Sequence, residues 1–233
     1  MPSDRPAILI VGASRGLGLA LAAEFAERGW AVIGTVRGRG RTELHDLAEV
    51  YAGQVEIETI DITMPDQIAA LRSRLTGRAI DMLFVNAGIT TADQNVHVGQ
   101  VGTEEFVDVM VTNALSPMRV IEALQDLVPA DGLIGVMSSG QGSITNNIVG
   151  LREVYRGSKA ALNQLMRSFA AREKEAPRAM LLLAPGWIRT ALGGPQATFT
   201  IEESAPILVD LMIEKRSRPG LEYLDRDGKT VPW

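Results

Sequence analysis

Short apolar runs alternate with amphipathic segments along almost the whole chain, and this alternation restricts the fold more than any other feature of the sequence. Several runs are apolar at every position, which is typical of strands covered on both faces of a parallel sheet. The segments between them show helical patterns. We therefore predict a βαβ series: one α/β domain over residues 1–233, with a doubly wound parallel sheet of about seven strands. Six runs are predicted strands: Ala7–Val11, Ala31–Val36, Gln54–Ile60, Ile80–Val85, Leu133–Met137 and Met180–Leu183.

The predicted helices carry signals at their ends. Gly29 is a C-terminal glycine signal for the first helix, and Thr63 and Asp66 are placed to cap and stabilise the start of another. The sequence Thr200–Glu203 forms a capping box ahead of a helix to about Lys215. Two longer helices are predicted over Thr103–Leu127 and Leu151–Glu173.

Composition excludes several functions. The 233 residues carry a net charge of −5, which argues against a nucleic acid partner. With no cysteine and two histidines, a thiol nucleophile or zinc-thiolate site is impossible and a histidine-rich metal site improbable, so we predict no metal. Met1–Pro6 is polar, and the apolar run after it is too short for a secretion signal or membrane span. We expect a cytoplasmic protein without a membrane partner.

A glycine-rich turn follows the first strand and opens the first helix, with glycines at positions 12, 16 and 18. The first glycine permits a tight turn, the second lets the backbone approach a pyrophosphate, and the third lets the helix pack on the strand. The helix N-terminus then offers free N–H groups and a positive dipole to phosphates. A glycine-rich turn without a ligand is the alternative. The residues predicted to contact a dinucleotide here are Gly12, Ser14, Arg15, Gly16, Leu17 and Gly18.

The end of the second strand indicates which dinucleotide is bound. NAD sites usually place an acid there, but Thr35–Gly38 contains none. Arg37 and Arg15 could instead pair with a 2′-phosphate, and Arg39 and Arg41 would add positive field. We therefore favour NADP(H); a solvated basic loop is the alternative.

Tyr155 and Lys159 are four residues apart on one predicted helix, so they lie on the same face, and Ser139 ends the fifth strand. Taken alone, the tyrosine would cover the core and the lysine would be solvated. In order with the other motifs, the chain resembles the short-chain dehydrogenase/reductase family, which implies a Rossmann fold. The resemblance includes these segments at strand ends: Asp61-Ile62, Asn86-Ala87-Gly88, Met137-Ser138-Ser139 and Pro185-Gly186-Trp187-Ile188-Arg189-Thr190.

The resemblance implies roles for these positions. Asp61 and Ile62 would meet the adenine, although Asp61 could equally cap a turn; Asn86 could simply tie neighbouring strands together. Asn113 would distort its helix and hold a water that connects the active-site lysine to solvent. Trp187 and Arg189 are candidate substrate contacts, against packing and solvated alternatives. The implied cofactor contacts beyond the glycine turn are Arg37, Asp61, Ile62, Asn86, Ala87, Gly88, Tyr155, Lys159, Pro185, Gly186, Trp187, Ile188 and Thr190.

The predicted chemistry is hydride transfer between a nicotinamide and a carbonyl or alcohol carbon, with the protein supplying the proton. Tyr155 would be the general acid or base, and Ser139 would hold the carbonyl oxygen. A lysine ammonium at ~4 Å in an effective dielectric of ~20 would lower the tyrosine pKa by at most roughly three before desolvation. Asn113, Ser139, Tyr155 and Lys159 are thus the predicted catalytic residues.

A finer resemblance joins the chain to small carbonyl reductases related to sniffer and to bacterial C-factor signalling proteins. It rests on Pro185–Thr190, the helix opening at Ile201 and the ending Asp227–Trp233. Two departures are visible: the gap from Ser139 to Tyr155 is a few residues longer than in many members, and Val11 replaces a frequent threonine.

Three functions stay open: an NADPH-dependent carbonyl reductase, a nucleotide-binding signalling protein with little turnover, and a pterin or quinone reductase. The two long helices resemble those that form a four-helix dimer contact in the family. A homodimer or homotetramer is therefore possible, and a monomer is not excluded.

Overall fold

The computed structural model describes residues 5–175 and 178–233, and its centre is one sheet of seven parallel strands in the order β3-β2-β1-β4-β5-β6-β7. The predicted parallel sheet is confirmed, and all six predicted strands are present within two residues of their bounds. The seventh, β7, was not located from sequence because its charged residues interrupt the apolar pattern. The strands are β1 (Ala7–Val11), β2 (Ala31–Val36), β3 (Val55–Thr59), β4 (Met82–Val85), β5 (Leu133–Met137), β6 (Ala179–Ala184) and β7 (Gly220–Asp225).

Seven α-helices connect the strands of the described chain. Gly29 follows the first with a positive φ of 83°, and the capping box at Thr200 is present, as predicted. The predicted Thr63 cap is wrong: Met64 precedes the helix, and Thr63 instead bonds to Asp61. The helices are α1 (Gly16–Glu27), α2 (Glu43–Val50), α3 (Pro65–Arg74), α4 (Thr103–Met110), α5 (Ser116–Leu124), α6 (Glu153–Arg172) and α7 (Ile201–Lys215).

The long helix predicted over Thr103–Leu127 is interrupted. Between α4 and α5, Val111–Leu115 forms a π-helical turn, and a 3₁₀ turn over Gln125–Leu127 ends the segment. A π-helical turn inserts one extra residue per turn and is frequent at functional sites. Asn113 lies inside it, so the predicted distortion at that residue is confirmed.

Both faces of the sheet are covered, as the continuously apolar strands predicted. One face of the sheet, including Leu9 and Val11, packs against α3, α5 and α6. The other face, including Ile8 and Ile10, packs against α1, α2 and α7. The two layers fix each strand on both sides, so the loops at the strand ends start from rigid positions.

Within residues 5–175 and 178–233, no helix has both the length and the apolar composition needed to cross a membrane. The polar stretch Met1–Pro6, from which we argued against a secretion signal, lies outside the described residues over positions 1–4.

Candidate active site

Four strands end at the same edge of the sheet, and each delivers one predicted motif. β1, β4, β5 and β6 are neighbours and run parallel, so the residues that follow them lie side by side. These residues are Gly12, Asn86, Ser138 and Pro185. Strand order reverses between β1 and β4, the position where open α/β sheets bind their ligands. The fold thus gathers the separate sequence motifs into one site.

The glycine turn has the geometry that a phosphate-binding turn requires. Gly12 has a φ of 93°, and a Cβ there would lie 2.9 Å from the backbone of Ala87. A Cβ on Gly18 would lie 2.0 Å from the carbonyl oxygen of Gly12, so helix and strand touch there. Gly16 has a φ of 58°, and nothing lies within 4 Å of a Cβ built on it. The turn is thus closely packed at Gly12 and Gly18 and open at Gly16, an arrangement that fits a dinucleotide pyrophosphate.

The turn is tied to both neighbouring strands. The Asn86 side-chain amide donates to the carbonyl oxygen of Gly12 at 2.8 Å, so it joins β4 to β1, the alternative that we left open. The backbone N–H of Gly12 donates to Oγ1 of buried Thr35 at 2.9 Å. This hydroxyl ties the turn to β2, in a turn where Val11 offers no hydroxyl. Sequence reasoning missed Thr35 because its role depends on the β1–β2 register.

The arginines near the turn differ in whether their guanidinium groups already have hydrogen-bond or salt-bridge partners. Arg15 begins α1 as its N-cap, and Arg37 follows β2; both are exposed and form no side-chain hydrogen bond or salt bridge within the described chain. Arg41 is engaged otherwise, since its guanidinium pairs with Asp46 at 2.6 Å and Glu49 at 2.9 Å. The predicted field of Arg41 is therefore neutralised, whereas Arg15 and Arg37 keep their donors available. Ser14 is half-buried beside them, and Leu17 packs against the core.

Asp61 follows β3, and its carboxylate stabilises the turn that begins there. One carboxylate oxygen accepts from the backbone N–H of Thr63 at 2.9 Å and from its hydroxyl at 2.7 Å. Ile62 is buried in the core. The turn-capping alternative for Asp61 is thus observed, and an adenine contact by this pair stays a prediction.

Lys159, Asn113 and Gly88 meet beneath the site. A Cβ on Gly88 would lie 3.2 Å from Oδ1 of Asn113 and 3.4 Å from Nζ of Lys159, so the backbone of Gly88 packs closely against both side chains. The Asn113 amide donates to the Ile89 carbonyl oxygen at 2.8 Å and to Ser158 at 3.0 Å, and its Oδ1 accepts from the Ile89 N–H at 2.8 Å. Both N–H groups of the side-chain amide are used, so a water held by Asn113 must donate to its side-chain or backbone carbonyl oxygen.

Lys159 is buried, and its ammonium donates to the carbonyl oxygen of Met137 at 2.8 Å. No carboxylate pairs with it within the described chain. Burial therefore lowers the pKa of Lys159 to about 8. A buried amine without a counter-charge is typical of a group whose position serves chemistry instead of stability.

Tyr155 and Ser139 form the upper part of the site. Burial raises the pKa of Tyr155, while a hydrogen bond with the Ser139 side chain and the positive charge of Arg152 act in the opposite direction. This corrects the expected lowering by Lys159, whose Nζ lies 5.8 Å from the centre of the phenol ring and is bonded elsewhere. Ser139 also accepts from the N–H of Gln141 at 3.1 Å, and Tyr223 donates to its backbone carbonyl oxygen at 2.5 Å. Tyr223 was missed because β7 was not located.

The segment Pro185–Thr190 leaves β6 and borders the site. Gly186 has a φ of 85°, and Ile188 is buried. The Trp187 indole is half-exposed and donates to the carbonyl oxygen of Gly193 at 2.7 Å. Arg189 is exposed and donates through Nε to the carbonyl oxygen of Ala197 at 2.8 Å.

A cleft of about 590 Å³ opens beside Tyr155 and Ser139. Neither of these two side chains lines it, but two lining residues reach them: Arg152 lies over the Tyr155 ring, and the Gln141 N–H bonds to Ser139. Trp187 lines the cleft and Arg189 does not, so of the two predicted substrate contacts only Trp187 borders this space, and its contact with substrate stays a prediction. The lining residues are Ala92, Asp93, Gln94, Asn95, Gln141, Val149, Leu151, Arg152, Arg156, Trp187 and Gly193.

The long connection between Ser139 and Tyr155 is anchored at its start. Ser139 begins a 3₁₀ turn over Gly140–Gly142, and the N–H and hydroxyl of Thr145 both bond to the carbonyl oxygen of Trp233. Residues 144–151 are exposed, and four of them are apolar. Val149 and Leu151 of this segment line the cleft. Throughout the described residues, no group of three or more histidine and carboxylate side chains is arranged to hold a metal ion.

A doubly wound sheet with a glycine turn at its switch point, beside a serine, a tyrosine and a lysine, defines a nicotinamide-dependent oxidoreductase. The family model described as short chain dehydrogenase matches residues 6–199. The chain belongs to the short-chain dehydrogenase/reductase family and is an NAD(P)-dependent oxidoreductase.

Solved structures place the chain more closely. It is similar to a short-chain dehydrogenase/reductase from Burkholderia multivorans with bound NADP, at 64% identity and a TM-score of 0.97, covering 99% of this chain and 100% of that one. It is also similar to a Pseudomonas aeruginosa PAO1 carbonyl reductase in complex with NADP, at 36% identity and a TM-score of 0.91 with coverage of 99% and 100%.

The expected subfamily is confirmed by two further relatives. The carbonyl reductase Sniffer of D. melanogaster is 27% identical with a TM-score of 0.89, covering 99% of this chain and 100% of that one. The C-signal protein of Myxococcus xanthus is 30% identical over 66% of this chain and 93% of its own length.

Proposed function

We propose that the protein is an NADPH-dependent carbonyl reductase that uses Tyr155 as its proton donor. The observation that carries this proposal is the convergence of Ser139, Tyr155, Lys159 and Asn113 on the sheet edge that holds the glycine turn. A protein that only bound a nucleotide would need the turn but not these side chains. Relatives named as carbonyl reductases support the same reaction class.

In reduction, Ser139 and Tyr155 donate hydrogen bonds to the carbonyl oxygen, and the tyrosine proton moves to that oxygen as negative charge develops there. The nicotinamide, when bound, supplies the hydride. Lys159 faces the same space with a positive charge and three donors, which suits ribose hydroxyls and stabilises the tyrosinate left after proton transfer. Gly88 and Asn113 hold the lysine in place.

The Ser139 hydroxyl is held in position before substrate arrives. Its oxygen accepts from the Gln141 N–H, which leaves its proton free to point at a carbonyl oxygen or at Tyr155. The Tyr223 hydroxyl fixes its backbone. Such preorganised donors stabilise developing charge without further reorganisation.

The test is NADPH oxidation with a panel of aldehydes, diketones and quinones. Tyr155→Phe should lower kcat by about 10²- to 10⁴-fold, the usual contribution of a general acid, with the Kd for NADPH nearly unchanged. Tyr51→Phe, which removes a hydroxyl far from the site, is the matched control and should retain wild-type kcat. Wild type and Tyr155→Phe equally inactive on every substrate would contradict the proposal.

We further propose a preference for NADP(H) over NAD(H). Arg37 and Arg15 are exposed beside the glycine turn without carboxylate partners, and no acid ends β2. A 2′-phosphate would meet two available guanidinium groups there. The NADP bound to similar proteins supports this reading.

Thermal stabilisation reports the preference, because a ligand at free concentration c that binds the folded state stabilises it by RT ln(1 + c/Kd), so at equal concentration the tighter ligand raises Tm more. NADP⁺ should raise Tm more than NAD⁺ at equal concentration. Arg37→Asp should narrow or invert the difference, and Arg41→Asp should not, since that guanidinium already pairs with Asp46 and Glu49. If the difference between the Tm increases with NADP⁺ and NAD⁺ is the same in Arg37→Asp as in wild type, Arg37 does not bind the 2′-phosphate.

A signalling role with little turnover is the second candidate, and the similarity to the C-signal protein is the observation that favours it. The assay above separates the two, since a signalling protein should bind NADP without reducing any carbonyl in the panel. A pterin or quinone reductase would differ only in its substrate. Association through the segment from α4 to α5 and through α6, where Phe106, Leu115 and Leu165 are exposed, stays a prediction for light scattering to test.

A further inference from the structure

Arg152 combines three unusual features at the edge of the cleft. It has a φ of 61°, the only positive value at a non-glycine position in the described chain. It is the residue immediately before α6, the helix that carries Tyr155 and Lys159, and its side chain caps no backbone group. A left-handed conformation at a residue with a Cβ is strained, and such residues cluster at functional sites.

The guanidinium of Arg152 is poorly satisfied. Its carbon lies 4.9 Å from the centre of the Tyr155 ring, and both Nε and Nη2 are buried without a hydrogen-bond partner. Within the described residues it forms no salt bridge. These two nitrogens form one edge of the guanidinium, the edge that binds a planar carboxylate with two parallel hydrogen bonds.

The charges around the cleft favour an anion. Arg152 and Arg156 both line it, and Asp93 is the one carboxylate among the residues that do. Asp93 accepts from the N–H of Asn95 at 2.9 Å and pairs with neither arginine. Arg156 donates to the Leu151 carbonyl oxygen at 2.5 Å. Two guanidinium groups against one engaged carboxylate leave the cleft positive, and Gln94, Asn95 and Gln141 add neutral polar groups.

We propose that Arg152 is a specificity-determining residue that selects carbonyl substrates bearing a carboxylate. The Arg152 side chain turns from the phenol ring toward the cleft and binds the carboxylate through Nε and Nη2, while the substrate carbonyl lies at Tyr155 and Ser139. The inference rests on the proposed reductase function and names its substrate class. Arg152, not the predicted Arg189, holds the anion, since Arg189 bonds to Ala197 and does not line the cleft.

The experiment compares matched substrate pairs: 3- and 4-formylbenzoate against their methyl esters. Wild type should show a higher kcat/KM for each acid than for its ester. Arg152→Gln should reduce the acid-to-ester ratio by about 10- to 100-fold, the value of a charge-assisted pair, mainly through KM. Arg152→Lys should give an acid-to-ester ratio between those of wild type and Arg152→Gln, because lysine keeps the positive charge but not the two parallel N–H donors. Arg172→Gln, which removes the same charge from the far end of α6, should leave the ratio unchanged.

A different role for Arg152 gives a different result. If it serves only to lower the pKa of Tyr155, its loss slows acid and ester equally and leaves their ratio unchanged. That outcome, or a wild-type ratio of one, overturns the proposal while the reductase function stands. Tm of each variant shows whether the fold is intact.

Binding separates this inference from the proposed reaction. Calorimetry with the NADP⁺-saturated protein should show benzoate binding more tightly than benzamide, and Arg152→Gln should abolish the difference. Absence of turnover on every aldehyde, diketone and quinone of the panel would refute the reductase function, whereas equal binding of benzoate and benzamide would refute the anion site.

Discussion

Replacing Lys159 with methionine should make the protein without bound cofactor more stable while abolishing its activity. The amine is buried, has no carboxylate partner in the described chain, and donates to one carbonyl oxygen. Burial lowers the pKa of this amine from 10.5 to about 8, which corresponds to a penalty for holding the charge in this position. At about 1.4 kcal/mol for each tenfold change in proton affinity, that penalty is about 3 kcal/mol.

The net effect at pH 7 is smaller. Methionine is close in length to lysine and needs no hydration, so it recovers the penalty, but the carbonyl oxygen of Met137 loses its donor, which costs about 1 kcal/mol. We therefore expect Lys159→Met to raise the free energy of unfolding by about 2 kcal/mol at pH 7.

The sign of the pH dependence follows from the direction of the pKa change. Between pH 8 and 10.5 the unfolded chain binds more protons at this lysine than the folded protein does, so wild-type stability rises with pH there. Below pH 8 the penalty is present in full. The advantage of the methionine variant should therefore be constant up to about pH 8 and then fall as the pH rises. Near pH 10.5 it should give way to a deficit of about 1 kcal/mol, because only the lost hydrogen bond to Met137 is left.

Urea unfolding of both proteins without cofactor, at pH 7, 8, 9 and 10, measures the difference directly. Other titrating groups are common to both proteins and cancel. Lys229→Met, which removes an exposed amine, is the control and should show no such pH-dependent gain. A methionine variant less stable than wild type at pH 7, or a difference that does not change with pH, would refute the reasoning that burial governs Lys159.

Three further changes test the site at other points. Gly18→Ala should unfold the turn or cost more than 3 kcal/mol of stability by urea unfolding, as its Cβ would lie 2.0 Å from the Gly12 carbonyl oxygen; unchanged stability would contradict the close packing. Tyr223→Phe should cost about 1–2 kcal/mol and lower kcat several-fold, because the Ser139 carbonyl oxygen loses its donor; wild-type kcat would remove Tyr223 from the positioning of that serine. Thr35→Val should weaken NADP⁺ binding, measured by fluorescence titration, by about 5- to 10-fold, since the Gly12 N–H is left without an acceptor; an unchanged Kd would show the bond to be dispensable.

The parts of the fold that sequence predicted best are those with local signals. Continuous apolar runs predicted six strands, and the glycine turn predicted the first βα junction. The capping box of Thr200 and Glu203 predicted the start of α7. Where local signals were weak, the prediction was wrong or incomplete. Thr63 looked like a helix cap, but Asp61 takes both its hydroxyl and its backbone N–H.

Long-range contacts explain what sequence could not supply. Thr35 supports the glycine turn through the β1–β2 register, and Tyr223 reaches Ser139 from a strand that follows it by more than eighty residues. Gly88 packs against both Asn113 and Lys159, a contact that forms only where the end of β4 meets the π-helical turn and α6. The spacing of residues within one segment does not predict these contacts, because the same residue types at the same spacing occur in many proteins that fold differently.

The sequence by itself determined the parallel sheet, the dinucleotide-binding turn, the family and the residues predicted to transfer the proton, because each depends on residue types at fixed local spacing. Tertiary structure alone decided the environment of those residues: it buried Lys159 without a counter-charge, drew the basic residue Arg152 over Tyr155, and left Arg189 outside the cleft. Charge and burial depend on which distant segments pack together, and that is the physical reason why the proposed carboxylate site at Arg152 could be recognised only in the folded molecule.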